Sequence, residues 1–329
     1  MRVGLTYDLQ TNPADWRQAE FDPPRTIETL CGALAELGHD VLRVGGAEAL
    51  LRAGALLRDV DLVLNIAEGS HGRCREAWVP TVLELFDVPS VGSDALALCL
   101  GLDKVVTKQL AQASGVATPR WVAIRHPDEL PDPLGLRFPV IVKPRDEGSG
   151  IGIDPGAVVC DARALKRRVR WLAQQLGPSI LIEEFVAFGE LTVCLIGNDP
   201  PTAYPAIQRP VDPISRLSCH VAQAPDPAWE APLCLTKELE HRVGSMALTM
   251  FEVLGCRDMA RVDFRVDEAL QPWFLEINPL PSFDPEGSFG LLAACLQTSY
   301  ANLIGRIIEA ARARLERQGK LPTLSGARP

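Results

Sequence analysis

The chain of 329 residues has no uninterrupted apolar run near the roughly 18 residues that would suggest a membrane-crossing helix. It also lacks any long basic run to offset its surplus of acid, 33 Lys and Arg against 42 Asp and Glu, a net charge of −9. Nucleic acid and anionic membrane surfaces are therefore not expected partners. The nine cysteines include no CxxC pair and are odd in number, which argues against a disulfide framework and leads to the expectation of a reducing cytoplasm. The opening MRVGLTYDLQ holds too short an apolar stretch for a secretory leader, in line with the same expectation. Neither GxxxxGKS/T nor GxGxxG occurs, so a Walker site and a dinucleotide fingerprint are both unsupported. What is present is an ordinary globular composition, 47% apolar and 23% charged, in a length that suggests about two domains.

Residues 1 to about 100 alternate strand-like and helix-like runs. Arg2 to Tyr7 reads as a strand. A helix follows Asp22-Pro23-Pro24, with Asp22 as its expected cap and Ile27, Leu30, Cys31, Leu34 and Leu37 at helical spacing. Asp40 to Val44 is a second strand, Ala47 to Leu57 a second helix, and Asp61 to Ala67 a third strand apolar enough to be buried on both faces. The fold class expected is α/β, a βαβαβ unit with a parallel sheet. Further on come a helix at Lys104 to Ser114, a strand at Phe138 to Val142, a glycine loop, a helix at Ala162 to Leu176 and a strand at Ile180 to Glu184. The basic run Arg163 to Arg170 reads as a solvated helix face. Strands Leu191 to Ile196 and Ala203 to Gln208, a polar stretch 209–232, a helix Lys237 to Leu254, a hairpin and a final helix closed by Gly319 complete the chain.

Three constellations carry chemistry. In the hairpin, Met259 to Val266 and Pro272 to Ile277, strict alternation puts Arg261 and Asp263 on one face, with Phe274, Glu276 and Asn278 sharing a face of the second strand. Asp263, Glu276 and Asn278 can then converge as hard oxygen ligands suited to Mg²⁺, although a solvated strand face gives the same pattern. In the second, a buried strand delivers Lys143 to a loop where Gly148, Ser149, Gly150 and Gly152 let backbone NH groups approach a polyphosphate; a plain glycine-rich turn is the alternative. The third, Ile180 to Glu190, ends in Glu183, Glu184 and Glu190 beside Phe185 and Phe188, as a core strand with a solvated end also would.

In their order these pieces resemble the ATP-grasp superfamily, and within it the D-alanine-D-alanine ligase branch. The matching motifs are Glu68-Gly-Ser-His71-Gly72-Arg-Cys-Arg-Glu76, Gly92-Ser-Asp94, Leu102-Asp103-Lys104, Val142-Lys143-Pro144 with the glycine loop, Ile182-Glu183-Glu184 with Gly189-Glu190, Arg261-Val-Asp263 and Leu275-Glu276-Ile-Asn278. The resemblance implies an ATP-grasp fold with a pre-ATP-grasp, Rossmann-like domain over 1–100, a lid subdomain over 101–184, a catalytic subdomain over 185–319 and a tail over 320–329. It implies a carboxylate-amine ligase working through an acyl phosphate, with ATP and Mg²⁺ or Mn²⁺ as cofactors, small acid and amine substrates, and a homodimer as an assembly common in that branch. Lys104 and Lys143 match phosphate-contacting lysines, and residues 148–152 a lid. Glu183, with Glu184 beside it and the backbone near Val186, matches adenine contacts, and Glu190 a ribose contact. Asp263, Glu276 and Asn278 match magnesium ligands, and Arg261 the arginine beside the transferring phosphoryl group. His71 and Glu76 are carried as catalytic candidates by the motif that contains them.

Departures cluster where substrates sit. Asp8-Leu-Gln-Thr11 replaces a Ser-x-Glu segment whose Glu holds the first ammonium, residues 209–232 contain neither the branch's Lys nor its Tyr, Pro281-Ser282 stands for its Pro-Gly, and Gly287 stands at its carboxylate-binding Ser, with Ser288 one place later. Arg209 and Arg216 lie in the altered stretch and are expected to supply another carboxylate contact. The expectation is a ligase whose substrates differ from two D-alanines; a cyclising synthetase and a nucleotide-binding scaffold without turnover are the alternatives.

Overall fold

Each sheet of the protein follows from a different hydrophobic pattern. The computed structural model describes residues 1–52, 54, 56–218 and 228–321. The chain opens with β1 (Arg2–Thr6), α1 (Pro24–Glu36), β2 (Asp40–Arg43), α2 (Ala47–Arg52), β3 (Leu62–Asn65), α3 (Trp78–Leu85) and β4 (Ser90–Val91). The strands form an all-parallel sheet in the order β2-β1-β3-β4. Every residue of β3 is buried, as its unbroken apolar run requires in a parallel sheet covered on both faces. Two expectations are corrected here. Pro23, not Asp22, is the N-cap of α1 and makes no side-chain cap bond, because Asp22 is drawn inward to 7% exposure. The second helix ends at Arg52, before a short 3₁₀ turn at Leu56–Asp59.

The next elements are α4 (Ala95–Leu102), α5 (Lys104–Ala113), β5 (Trp121–Ile124), β6 (Val140–Pro144), β7 (Val158–Val159), α6 (Ala162–Leu176) and β8 (Ile180–Glu184). Here the sheet is antiparallel, β5-β8-β6-β7. The helical spacing of Leu165, Val169 and Leu172 on α6 covers Val140, Val142, Ile180 and Ile182 in a core of its own.

The third sheet is built from β9 (Gly189–Gly197), β10 (Pro201–Ala203), β11 (Ile207–Arg209), α7 (Lys237–Leu254), β12 (Met259–Val266) and β13 (Pro272–Asn278), followed by α8 (Ser288–Cys295) and α9 (Tyr300–Arg317). Its order is β10-β9-β12-β13, with β11 also paired to β9. The run 203–208 is thus two short strands rather than one. Helix α7 starts at a Thr236 cap and stops at Gly255, whose φ of +67° is the left-handed turn that glycine accepts without strain. The apolar face of α9, Ile304, Ile307, Ile308, Ala311 and Leu315, packs with β1, β3 and α1 in one core.

A buried pair ties α9 to the segment before β12 and to the end of β4. Arg314 grips Asp258 at 2.7 Å, and the same carboxylate accepts the Gly92 NH at 2.8 Å. With Asp94 capping α4, the Gly92-Ser-Asp94 motif serves as a structural junction. Among the described residues no single helix is long and apolar enough to cross a membrane. The eight described cysteines are free thiols; Cys219, His220 and most of the tail lie outside the described residues.

Candidate active site

A cavity of about 840 Å³ is lined from the second and third sheets, from the segments before α1 and after β3, and from α4, α5 and α8, within the usual range for a small-molecule site. Of the residues singled out from sequence, Glu76, Lys104, Lys143, Gly148, Ser149, Gly150, Glu183, Glu184, Val186, Glu190, Arg261, Asp263, Glu276 and Asn278 line it, and His71 and Gly152 do not. His71 is exposed, with Nδ1 2.8 Å from Ser70 Oγ and its ring edge-on to Trp78 at 4.9 Å. Its placement gives no support to a catalytic role. Gly152 packs against Leu176 and Leu172 of α6, where a Cβ would lie 2.6 Å from Leu176 Cδ1.

The oxygen-bearing hairpin owes its geometry to a bulge. Asp263 pairs with Glu276 and Arg261 with Asn278, but the register slips after Asp263 so that Phe264 pairs with Phe274. Leu275 is the extra residue, and strict alternation fails there. Phe274 therefore leaves the face expected for it and joins Ile277 in the core, edge-on to Phe264. Glu276 and Asn278 stay on the cavity side beside Asp263. Thr192 Oγ1 donates to Asp263 at 2.8 Å, the Arg261 guanidinium lies 2.9 Å from the same carboxylate, and Asn278 Nδ2 is 3.4 Å away. Two carboxylates and one amide on adjacent strands are a donor set that fits a hard divalent cation, since an amide flip presents Asn278 Oδ1 to the same space.

The two expected lysines are fixed differently. Lys104 lies 3.3 Å from Glu276 and donates to the Glu147 carbonyl at 2.5 Å. Lys143 donates to Glu183 at 2.5 Å, and Lys108 meets the other oxygen of that carboxylate at 2.7 Å. Lys108, wholly buried, also donates to Thr118, whose hydroxyl is bonded to the Phe274 carbonyl. Burial pushes the Lys108 pKa down to about 8, against the pull of Glu183. Burial acts on Glu183 too, but Lys108 and Lys143 outweigh it and hold that carboxyl at about 2. Glu183 is thus engaged in fixing a lysine pair rather than open to a base. Lys108 had no motif to mark it; a lysine amid the apolar face of α5 was the available signal.

Arg265 is a second hub missed from sequence. It pairs with Glu190 at 3.0 Å, donates to the Val186 carbonyl at 2.7 Å and to the Arg216 carbonyl at 2.8 Å, and stands over the Phe185 ring. Glu190 is therefore tied to Arg265 at the position read as a ribose contact. Glu184 accepts from the backbone and guanidinium of Arg137. Arg216, expected to meet a substrate carboxylate, is spent on Glu230 at 2.6 Å and on the Ala187 and Phe188 carbonyls. Arg209 lines the cavity; residues 219–227 of the altered stretch lie outside the described residues.

The glycine loop is clamped to the first part of the chain. Glu20 accepts the Gly148 NH at 2.8 Å, and Arg75 bridges Glu20 at 2.8 Å, Glu147 at 3.2 Å and the Asp146 carbonyl at 2.9 Å. Arg168 of α6 is not solvated as the basic run suggested: it anchors Asp154 and the Gly152 carbonyl. Glu76 is buried at the cavity wall, and burial together with Glu20 raises its pKa to about 8.

Comparison with known proteins shows the fold and the family. The D-alanine-D-alanine ligase of Bacillus anthracis, solved with ATP, superposes with a TM-score of 0.75 over 97% of this chain and 100% of that one, at 22% identity. The family profile described as D-ala D-ala ligase C-terminus matches residues 110–309. The protein is an ATP-dependent ligase of the ATP-grasp fold. An uncharacterised protein of Sinorhizobium fredii, y4sG, is 32% identical across 95% of this chain and 93% of its own. The D-alanine-D-alanine ligase of Carboxydothermus hydrogenoformans is 29% identical across 86% of this chain and 96% of its own. The chain belongs to the D-alanine-D-alanine ligase family.

Proposed function

We propose that this protein joins a carboxylic acid to an amine at the expense of ATP and Mg²⁺, through an acyl phosphate, and that its substrates are not two D-alanines. The reading divides the chain into an N-terminal part over 1–100, a lid part over 101–184 and a catalytic part over 185–319. The observation that carries it is the convergence of Lys104, Lys143, Arg261, Asp263, Glu276 and Asn278 on one cavity. In the first step a substrate carboxylate oxygen attacks the γ-phosphorus and ADP leaves with the bonding pair. In the second the amine lone pair attacks the acyl carbon, the C–O bond to phosphate breaks, and phosphate departs with that pair and takes up the nitrogen's surplus proton.

The chain's part in this is positioning and charge. Lys104 and Lys143 offer ammonium groups to phosphate oxygens, and Glu183 with Lys108 fixes where Lys143 stands. Arg261, braced by Asp263, offers a guanidinium to the transferring phosphoryl group. A bound Mg²⁺ would neutralise phosphate charge, with Asp263, Glu276 and Asn278 as its protein ligands. The substrate side differs from the branch: Gly287 carries no hydroxyl for a carboxylate, the nearest in sequence being Ser288 at the cavity wall one place later, and Arg216 is consumed within the protein. The test is product formation with ATP, Mg²⁺ and excess D-alanine, followed by mass spectrometry. Poor, unsaturable turnover with D-alanine and ADP release with other acid and amine pairs is expected. Efficient saturable D-alanyl-D-alanine synthesis refutes the substrate reading.

A further inference from the structure

The glycine loop leaves β6 through three residues whose carbonyls are all taken. The Arg145 carbonyl accepts the Lys104 NH at 3.1 Å, the Asp146 carbonyl accepts Arg75 Nη1 at 2.9 Å, and the Glu147 carbonyl accepts Lys104 Nζ. At the far end Arg168 holds Asp154 and the Gly152 carbonyl. Between these anchors Ser149 and Gly150 stand in the left-handed region, at φ of +46° and +71°. The near anchor is remote in sequence. Arg75 follows β3, is 4% exposed and does not line the cavity, whereas Glu20, Glu147 and Gly148 do. Its Nε and Nη2 donate to Glu20 at 3.1 and 2.8 Å, and Nη2 also reaches Glu147 at 3.2 Å. Glu20 in turn accepts the Gly148 NH at 2.8 Å. Two glycines make room for this arrangement. A Cβ at Gly148 would collide with Glu20 Oε1, and one at Gly69 would stand 2.6 Å from the Arg75 carbonyl oxygen.

We propose that Arg75 is a positioning residue for nucleotide binding: by gripping Glu20, Glu147 and the Asp146 carbonyl at once, it sets the near root of the glycine loop and confines movement to the turn 149–151. This rests on the ligase reading for the phosphates that the loop covers, and goes beyond it in naming the residue that presets the loop. The guanidinium acts in two ways. It fixes Glu20, so that the Gly148 NH keeps its orientation, and its charge offsets two carboxylates that would otherwise face an incoming triphosphate. Without it those carboxylates stay at the cavity wall with their shared cation gone, the costly case for a buried ion pair. Lysine retains the charge but not the planar fork that serves three acceptors.

Two measurements on the full chain test this. In the nucleotide-free protein, Arg75→Met is expected to speed hydrogen exchange of the Gly148 NH at least about tenfold while the β6 amides keep the wild-type rate. Acceleration shared by β6 marks general loosening and overturns the inference, as does an unchanged Gly148. Calorimetric titration with Mg²⁺ and a non-hydrolysable ATP analogue, against AMP, is the second. The analogue is expected to bind about ten- to hundredfold more weakly to Arg75→Met, the range for one charge-assisted bond, and by an intermediate factor to Arg75→Lys. AMP, which lacks the phosphates under the loop, is expected to stay within about twofold of wild type. An equal loss for both nucleotides marks a merely structural role and overturns the inference. Should Arg75→Met not fold, Arg75→Lys decides: analogue affinity and Gly148 exchange both equal to wild type overturn it. Wild-type protein that binds neither nucleotide overturns the ligase reading and the inference with it. Unchanged analogue affinity in Arg75→Met, with wild-type binding intact, overturns the inference alone.

Discussion

Replacing Glu183 by Gln removes the one anion shared by two buried lysines while keeping the side chain's shape. The carboxyl stands at about 2 in the fold against an ordinary 4.5, which at about 1.4 kcal/mol per pH unit is a contribution of about 3 kcal/mol near neutrality. That agrees in size with the roughly 3–5 kcal/mol lost when one partner of a buried ion pair is deleted. The sign of its pH dependence follows from the depressed pKa. Between pH 4.5 and 2 the unfolded chain takes up the proton before the folded one does, so the contribution fades across that window. The deficit of Glu183→Gln should accordingly shrink toward pH 2. Lys108 shifts stability in the same direction with pH, in a separate alkaline window. Burying its ammonium is unfavourable below its folded pKa of about 8, and that penalty is relieved as pH rises toward its ordinary 10.5. Without Glu183 the penalty grows, so alkaline relief should be larger in the variant than in the wild type. Urea unfolding followed by tryptophan fluorescence at acid, neutral and alkaline pH measures all three, and ADP release reports the displacement of Lys143. A variant within about 0.5 kcal/mol of wild type at pH 7, the range of an ordinary surface change, would show that the lysine pair does not depend on Glu183 and refute the reasoning.

Two further outcomes are expected. Glu276→Gln should keep the fold, because Glu276 sits at the cavity rather than in the core, and should lower ADP release by at least about a hundredfold, as losing a charge-stabilising group does; near-wild-type turnover would remove the metal assignment. In the loop, the Gly148 NH is already held by Glu20, so hydrogen exchange on adding ATP analogue and Mg²⁺ should slow at Ser149 and Gly150 more than at Gly148. Exchange unchanged at saturating nucleotide would count against a lid.

The sequence by itself determined the elements with strong local periodicity. Helices α6 and α7 and strand β8 begin and end where spacing, caps and glycine put them. It also determined the family, because short motifs in a fixed order carry more information than any of them alone. The acidic pair and amide of the hairpin were readable because Asp263 lies two residues after Arg261, and Glu276 two before Asn278, on neighbouring strands. Tertiary structure decided the rest. The bulge that sends Phe274 to the core arises from packing against Phe264 across the sheet. Lys108, Arg265 and Arg75 became site residues only when β8, β9 and the glycine loop brought carboxylates to them. Asp22, read as a helix cap, turned inward because the chain before α1 folds back along Asp8. Local pattern reports which face of an element is apolar. Which charges meet across tens or hundreds of residues depends on where those faces are packed, and only the folded chain brings the charges together.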